Sequence, residues 1–396
     1  MTVRTDSAPA PRGGISLGTL ILPLGAVAAL IVVGVGLIFL ADKNGAQNLL
    51  GLIYDLLGNP AAAQAVRDGA ADQVLAKILL AVVALISGVG GIWLLYSTVA
   101  QLVSLLRPSL RDRIMPWVFV LPAIGLLVGW LVYPAVSTII TSFTDDRTGA
   151  FTLQNWLDLS KSDSLNLLFN NLLWLVVGTG GAVMLGLVIA AMFDRVKFES
   201  LAKTFVFLPM AISLVGASVI WGVVYTFRPA GQPQVGLANA LWTSTGAKPV
   251  DWIHTPDFHL NTFLLIVIFI WLQTGFAMVV LSAAIKGVST EVLEAARLDG
   301  ATERQIFFRV IVPIIKGSII AVITTIAIAN LKVFDIVFVM TGGRFNTNVV
   351  ANEMFQQAFQ FFNDGRGAAL ATVLFIAVLP IIYVNLRNLR EQGVGA

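Results

Sequence analysis

Long apolar runs alternate with short polar segments along this chain, and eight of the runs are long enough to cross a lipid bilayer. At about 1.5 Å of rise per residue, a helix of about 20 residues spans a hydrocarbon core of about 30 Å. The eight runs lie at residues 15–41, 78–106, 117–143, 167–193, 205–227, 263–285, 319–340 and 368–386. The pattern therefore predicts eight transmembrane helices joined by polar loops.

The composition is that of a membrane protein. Hydrophobic residues make up 57% of the 396 residues and charged residues only 12%, whereas soluble domains are about 25% charged. We therefore expect an all-α membrane protein. The net charge of +3, without a basic patch outside short loops, gives no support for nucleic-acid binding. The absence of cysteine excludes disulfides, thiol nucleophiles and cysteine-ligated metals.

The N-terminal region, 15–106, is predicted to hold two transmembrane helices and an external loop. Residues 1–14 are polar and contain two prolines, which is typical of a disordered tail. The run 15–41 is longer than the apolar core of about 7–15 residues in a signal peptide, so we expect a retained anchor rather than a cleaved signal. The loop 42–76 is predicted to contain a short amphipathic helix at 48–57 and a break at 58–60.

Lysine and arginine are unevenly distributed between the two sides of the predicted bundle. Eight crossings place both termini on one side, which carries 15 of these residues, whereas the other side carries 9. Because cytoplasmic loops carry the excess of positive residues, both termini and the segment 290–313 are predicted to be cytoplasmic.

The segment 290–313 is the longest charged, helix-prone interruption between the apolar runs. A charge at the centre of a membrane helix costs roughly 2.5–3.5 kcal/mol, so this segment is predicted to lie in water. Thr290 can cap a first helix, and Gly300 can end it in the left-handed conformation. Thr302 and Gln305 can form a capping box for a second helix. This helix, turn and helix serve either as a solvated loop or as a docking surface.

A motif of fixed spacing lies within this segment: Glu294-Ala295-Ala296-x-x-Asp299-Gly300-Ala301, followed by Pro313. It resembles the EAA motif of ABC importer permeases, and the stretch 334–343 is similar to the end of the next helix in that family. Over residues 117–390 the chain resembles the larger, MalF-like permease subunit of maltose importers and their relatives. Residues 15–106 would then be two extra helices ahead of a six-helix permease core.

Two departures from the family pattern accompany the resemblance. The segment 343–348 differs from the commoner Gly-Gly-Pro version and is closer to permeases for α-glucosides. Gly317 stands where many relatives carry proline, which should alter how the seventh helix starts.

The resemblance implies a permease subunit of an ATP-driven, binding-protein-dependent importer in a prokaryotic plasma (inner) membrane, for di- or oligosaccharides such as α-glucosides. Its implied partners are a dimer of cytoplasmic ATPase subunits, a second permease subunit of a different chain and an extracytoplasmic sugar-binding protein. The chain contains no G-x-x-x-x-G-K-[ST] sequence, so ATP-Mg is expected on the ATPase and not here. The residues implied for ATPase coupling are Glu294, Ala295, Ala296, Asp299, Gly300 and Pro313.

Polar and aromatic residues within the predicted helices are candidates for the substrate path. Sugars present hydroxyl edges and apolar faces, so amides beside aromatic rings suit them. Asn330 falls where the sugar permeases that this chain resembles place a sugar-binding asparagine, with Gln273 and Phe276 as further contacts and Phe334 as a stacking surface. A hydrogen bond between helices is the alternative for Asn330.

Two pairs of titratable residues have structural interpretations. Lys332 and Asp335 lie three residues apart in the seventh predicted helix, so an internal ion pair is expected. His254 and His259 lie near aspartates in the predicted external loop 228–259, where solvated residues are expected rather than a metal site. That loop is also a candidate contact for the binding protein.

Two other classes of function compete with the importer. An ion-gradient-driven secondary transporter would be favoured by carboxylates within the membrane or by an internal repeat. Asp335 alone gives it little support, and the sequence shows no clear repeat. A membrane-embedded enzyme would need a catalytic constellation, which two loop histidines without cysteine do not supply.

Overall fold

The computed structural model describes residues 44–69, 73–104, 108–193 and 198–391, and within them the chain is helical and contains no strand. The predicted tail 1–14 and first helix 15–41 lie outside these residues. We number the longer helices α1 Gly45–Leu56, α2 Pro60–Arg67, α3 Gln73–Ser104, α4 Pro108–Thr141, α5 Gln154–Leu157, α6 162–193, α7 Glu199–Ala211, α8 Leu214–Val224, α9 Leu237–Ser244, α10 Leu260–Lys286, α11 Thr290–Leu298, α12 Glu303–Ile314, α13 Lys316–Leu331, α14 Asp335–Met340, α15 350–360 and α16 Asp364–Glu391.

Five of these helices are long and apolar enough to cross a membrane: α3, α4, α6, α10 and α16. Two bent pairs pass the same test, α7 with α8 at 102° and α12 with α13 at 70°. The described residues therefore hold five to seven candidate spans. This is the fold of an all-α membrane protein, and the full count of eight stays a prediction.

The structure corrects the fifth and seventh predicted helices, each of which the sequence presented as one continuous span. In the fifth, Pro209 lies in a 3-10 turn and Ile212 is extended, because proline cannot donate a helical hydrogen bond. Ser213 then caps α8 by accepting a hydrogen bond from the backbone of Gly216 at 3.0 Å. In the seventh, α13 ends at Leu331 and α14 starts only at Asp335.

The chain divides into two compact units, Met1–Tyr133 and Pro134–Ala396. In the first unit α1 and α2 pack with α3 around Leu50, Val66 and Ala76. Asn59 caps α2 by accepting a hydrogen bond from the backbone of Ala62 at 3.2 Å. The predicted short helix at 48–57 and the break after it are confirmed, although the helix already begins at Gly45.

The core of the second unit forms where α6 and α10 cross. A Cβ atom on Gly186 would lie 2.5 Å from the Cβ of Ala277 and 2.8 Å from the backbone nitrogen of Met278. Glycine is required at this position because a side chain would force the two backbones apart. The close crossing makes α10 the most deeply buried candidate span among the described residues.

A cluster of charges joins the start of α7 to the end of α10. Glu199 on α7 forms an ion pair with Lys286 on α10 at 2.5 Å and another with Lys203. Lys203 also donates a hydrogen bond to Ser282 on α10. These contacts hold the end of α10 in place directly before the charged segment 290–313.

Candidate functional site

The first helix of the charged segment, α11, begins one residue earlier than predicted. The N-cap is Ser289 and not Thr290, since the Ser289 hydroxyl accepts a hydrogen bond from the backbone of Glu291 at 3.2 Å. Serine in this position satisfies an otherwise unpaired backbone N–H. Glu291 then lies in the first turn, where its charge is favourable beside the helix dipole.

Gly300 ends α11 with a left-handed turn, as predicted. Its φ angle is +80°, a conformation that glycine adopts without steric cost. Two backbone hydrogen bonds close the turn, from Gly300 to Arg297 at 3.0 Å and from Ala301 to Ala296 at 3.1 Å. This is the Schellman arrangement, and it satisfies the last carbonyls of the helix.

The second helix, α12, starts with the predicted capping box. The backbone N–H of Thr302 donates to Gln305 Oε1 at 2.8 Å, and that of Gln305 donates to the Thr302 hydroxyl at 3.4 Å. An ion pair between Arg297 Nε and Glu303 Oε1 at 3.0 Å links α11 to α12 across the turn. The two helices therefore form one folded element, which we call the coupling element (residues 289–314).

One face of the coupling element packs on the protein and the other is exposed. Leu293 packs against the core, and Ile306 is buried. Glu294 and Ala295 are exposed, and so is 89% of Leu298. Leu298 lies four residues after Glu294 and thus on the same face. Sequence reasoning assigned Leu298 no role, although this spacing was the signal that could have found it.

Pro313 lies near the end of α12 and is exposed. Because proline has no N–H and its ring clashes with the carbonyl four residues earlier, it disturbs the regular hydrogen bonding of a helix. The preceding residues Phe307–Ile311 form a wider π turn, and the chain bends by 70° between α12 and α13. The coupling element is thus joined to α13 through a fixed bend.

Asn330 near the end of α13 is fully buried. Its Nδ2 donates hydrogen bonds to the backbone oxygen of Trp174 at 2.6 Å and to the hydroxyl of Thr179 at 3.2 Å. Trp174 begins the π turn of α6, a helix distortion that often marks functional sites. The hydrogen bond between helices, one of the two interpretations of Asn330, is therefore present, while its Oδ1 has no hydrogen-bond partner in the part of the chain that the structure describes.

The other predicted substrate residues lie in two places. Gln273 and Phe276 are half-buried on α10, where Phe276 packs against the core. Phe334 precedes α14 and packs against Phe338 and Phe355, with ring centroids 5.0 Å apart in both pairs. It lines a cavity of about 540 Å³ whose apolar walls come from 328–355 and α16, and this lining includes neither Gln273 nor Phe276.

The expected ion pair between Lys332 and Asp335 is not formed. Because α13 ends at Leu331, the two residues do not share the continuous helix that would bring their side chains together. The histidines have separate partners: His254 Nδ1 lies 2.8 Å from Asp251 Oδ1, and His259 Nε2 lies 3.3 Å from Asn346 Nδ2. Within the described residues, no three His, Asp or Glu side chains are close enough to hold a metal ion.

This helical bundle with a folded charged element between two candidate spans can be compared with known proteins. Residues 182–395, more than half of the chain, match the model of the family described as "Binding-protein-dependent transport system inner membrane component". The chain belongs to this family. It is therefore a membrane component of a transport system and not an enzyme.

Two relatives are similar over most of their length. An osmoprotective compounds uptake permease protein of Synechocystis sp. is 48% identical over 69% of this chain and 98% of the relative. An alpha-glucoside transport system permease protein of Rhizobium meliloti is 46% identical over 72% of this chain and 85% of the relative. In structure, a chain of a bacterial alginate ABC transporter matches with a TM-score of 0.60 at 19% identity, over 71% of this chain and 96% of that chain. The structural likeness shows the fold alone.

Proposed function

We propose that this chain is the transmembrane permease subunit of an ATP-driven, binding-protein-dependent importer of di- or oligosaccharides such as α-glucosides. The observation that carries the proposal is the coupling element, a folded unit with an exposed face that holds the EAA-like motif. Its partners are a dimer of ATPase subunits, which bind ATP-Mg, a second permease subunit and an extracytoplasmic sugar-binding protein.

In this proposal α11 docks into a groove on the ATPase. Glu294 pairs with a basic residue of that partner, and the small side chains of Ala295 and Ala296 allow close approach. Leu298 adds an apolar contact on the same face. These side chains lie on a helix that is capped at both ends. Because its backbone is already ordered, docking costs little backbone conformational entropy.

Movement of the ATPase subunits would reach the membrane through contacts that are already in place. The ion pair between Arg297 and Glu303 ties α11 to α12, and the bend after Pro313 leads into α13. Asn330 lies near the far end of α13, against α6. A displacement of the coupling element therefore moves the helix that carries the proposed substrate asparagine.

The proposed function is tested by transport in proteoliposomes that contain the permease with its partner subunits and binding protein. We expect maltose or trehalose to accumulate only when ATP is supplied to the ATPase side. A protonophore should not change the rate. Uptake that requires an ion gradient but no ATP would support the secondary transporter instead. Uptake of a non-sugar osmoprotectant such as glycine betaine, but of no sugar, would contradict the proposed substrate class.

For the substrate path we propose contacts from Asn330, Gln273, Phe276 and Phe334. Replacing Asn330 by alanine removes the donor to the Trp174 oxygen, and leaving a buried acceptor unpaired costs about 1–3 kcal/mol. We expect Asn330→Ala to lower the melting temperature of the purified protein and to raise KM for sugar uptake. If KM and rate stay unchanged while stability falls, Asn330 serves only the contact between α13 and α6.

We also propose that both termini and the coupling element face the cytoplasm, which the distribution of Lys and Arg supports. Because the chain has no cysteine, single introduced cysteines report the side directly. An impermeant maleimide should label Ser244→Cys in intact spheroplasts and Ser200→Cys only after the membrane is disrupted. The reverse pattern would invert the topology.

A further inference from the structure

A polar cavity lies in the second unit, at one end of α6. It has a volume of about 420 Å³, within the range of about 300–1,000 Å³ that is usual for small-molecule sites. Its walls come from the start of α6, the loop 341–349, α15 and the start of α16. Four separate segments of the chain thus converge on one cavity, which we call the polar cavity.

A carboxylate, Glu353, organises the polar cavity. Its Oε2 accepts a hydrogen bond from Asn348 at 2.8 Å, and its Oε1 accepts one from Gln357 at 2.7 Å. Arg366 Nη2 lies 3.9 Å from the same Oε1, which is too far for a direct hydrogen bond. The carboxylate is therefore held in one orientation by two amides, whereas the guanidinium is only loosely paired with it.

Two buried polar atoms at the polar cavity have no hydrogen-bond partner among the residues that the structure describes. Asn170 is 1% exposed, and its Nδ2 donates to the backbone oxygens of Asn346 and Asn348 at 2.8 and 2.9 Å, while its Oδ1 accepts nothing. Arg366 Nε is buried without a partner as well. Unpaired buried polar atoms are rare and costly. The Asn170 Oδ1 acceptor and the Arg366 Nε donor are thus held in place without forming a hydrogen bond.

The chemistry of these groups selects a class of ligand. One carboxylate and one guanidinium make the lining of the polar cavity neutral overall, so neither an anion nor a cation is favoured by net charge. A hydroxyl group both donates and accepts a hydrogen bond. It can therefore pair with the Asn170 oxygen, with the Glu353 carboxylate and with the Arg366 guanidinium. A neutral molecule with several hydroxyl groups fits this set of partners.

The helix α15 borders two different cavities. Glu353 and Gln357 belong to the polar cavity, whereas Met354 and Phe355 line the apolar cavity that also contains Phe334. A sugar has a hydroxyl edge and an apolar face. The polar surface of α15 suits the hydroxyl edge, and its apolar surface suits the apolar face. The polar cavity and the cavity that contains Phe334, which the sequence already indicated for the substrate path, are thus both bordered by α15.

We propose that the polar cavity is a sugar-binding entry subsite, where Glu353, Arg366 and Asn170 bind the hydroxyl groups of a neutral saccharide before it passes deeper into the permease. This inference rests on the proposed function and on the predicted topology, which places the loop 341–366 on the extracytoplasmic side. It adds a binding site to a path otherwise defined by Asn330 and Phe334.

The test is the dependence of ATP-driven maltose uptake on Arg366. In Arg366→Gln we expect KM to rise by about tenfold or more, as the loss of a hydrogen bond to a charged group implies. Glu353→Gln should act in the same direction. Arg366→Lys, which keeps the charge, should restore part of the affinity. The melting temperature of each variant is measured on the same preparation, and partial recovery of KM in Arg366→Lys distinguishes a binding role from a loss of folding.

The matched control is Arg344→Gln, because Arg344 is an exposed arginine of the same loop and is not part of the cavity lining. Its KM should be unchanged. Equal KM increases in the two arginine variants, or none in Arg366→Gln and Glu353→Gln, would overturn the subsite. So would uptake of the anionic polyol gluconate in preference to maltose. Failure of the unmodified complex to transport any sugar would instead reject the proposed function.

Discussion

Glu294→Lys is expected to abolish ATP-driven uptake while the chain still inserts into the membrane. Glu294 is exposed on α11 and makes no packing contact that the fold needs. In the docked complex it would face a basic residue of the ATPase, and removing one partner of a close interfacial charge pair typically costs about 2–5 kcal/mol. Reversal of the charge adds repulsion, so we expect uptake to fall by more than tenfold.

The measurement compares uptake, sugar-stimulated ATP hydrolysis and co-purification of the ATPase with this chain. Glu294→Gln is the matched variant, because it keeps the size of the side chain and removes only the charge. Uptake by Glu294→Gln should lie between that of the unmodified protein and that of Glu294→Lys. Normal uptake and normal sugar-stimulated hydrolysis in Glu294→Lys would contradict the assignment of the coupling element.

Gly186→Ala is expected to be the most destabilising single-methyl change in the crossing of α6 and α10. The added Cβ would lie 2.5 Å from the Cβ of Ala277 and 2.8 Å from the backbone of Met278, so α10 itself must move. Overpacking a close contact costs about 1–3 kcal/mol or more. We expect the melting temperature of the purified protein to fall by several degrees.

Gly180→Ala is the control on the same helix, since a Cβ there would meet nothing within 4 Å. Both variants gain the helix propensity of alanine over glycine, so this contribution cancels in the comparison. Gly180→Ala should melt at the same temperature as the unmodified protein or higher. Equal melting temperatures for the two variants would show that α6 and α10 are not packed as closely as described.

The polar cavity changes how the substrate path is understood. Sequence reasoning searched the apolar runs for polar residues and found Asn330 and Gln273, because a polar residue is conspicuous there. It passed over Asn170, near the start of a predicted helix, and Glu353, in the polar segment between the last two predicted helices, because polar residues are common at both places. Their significance depends on convergence, since Asn170 and Asn346 are 176 positions apart in the chain.

The local features of the coupling element were largely determined by the sequence. The turn at Gly300 and the capping box of Thr302 and Gln305 depend on residues no more than about five positions apart, so their residue types were enough to predict them. The cap at Ser289 instead of Thr290 shows the limit of such predictions at a helix end. The apolar runs and the charge of 290–313 also sufficed to predict a helical membrane protein.

Only the tertiary structure decided where the helices break and what the buried polar residues contact. The bend between α7 and α8 and the end of α13 at Leu331 interrupt runs that are apolar enough in sequence to be predicted as continuous spans. Asn330 donates to Trp174, 156 positions away, and no local pattern encodes that pairing. Hydropathy measures the preference of a segment for lipid, whereas the position of a break, a glycine crossing or a polar cavity depends on which distant segments pack together.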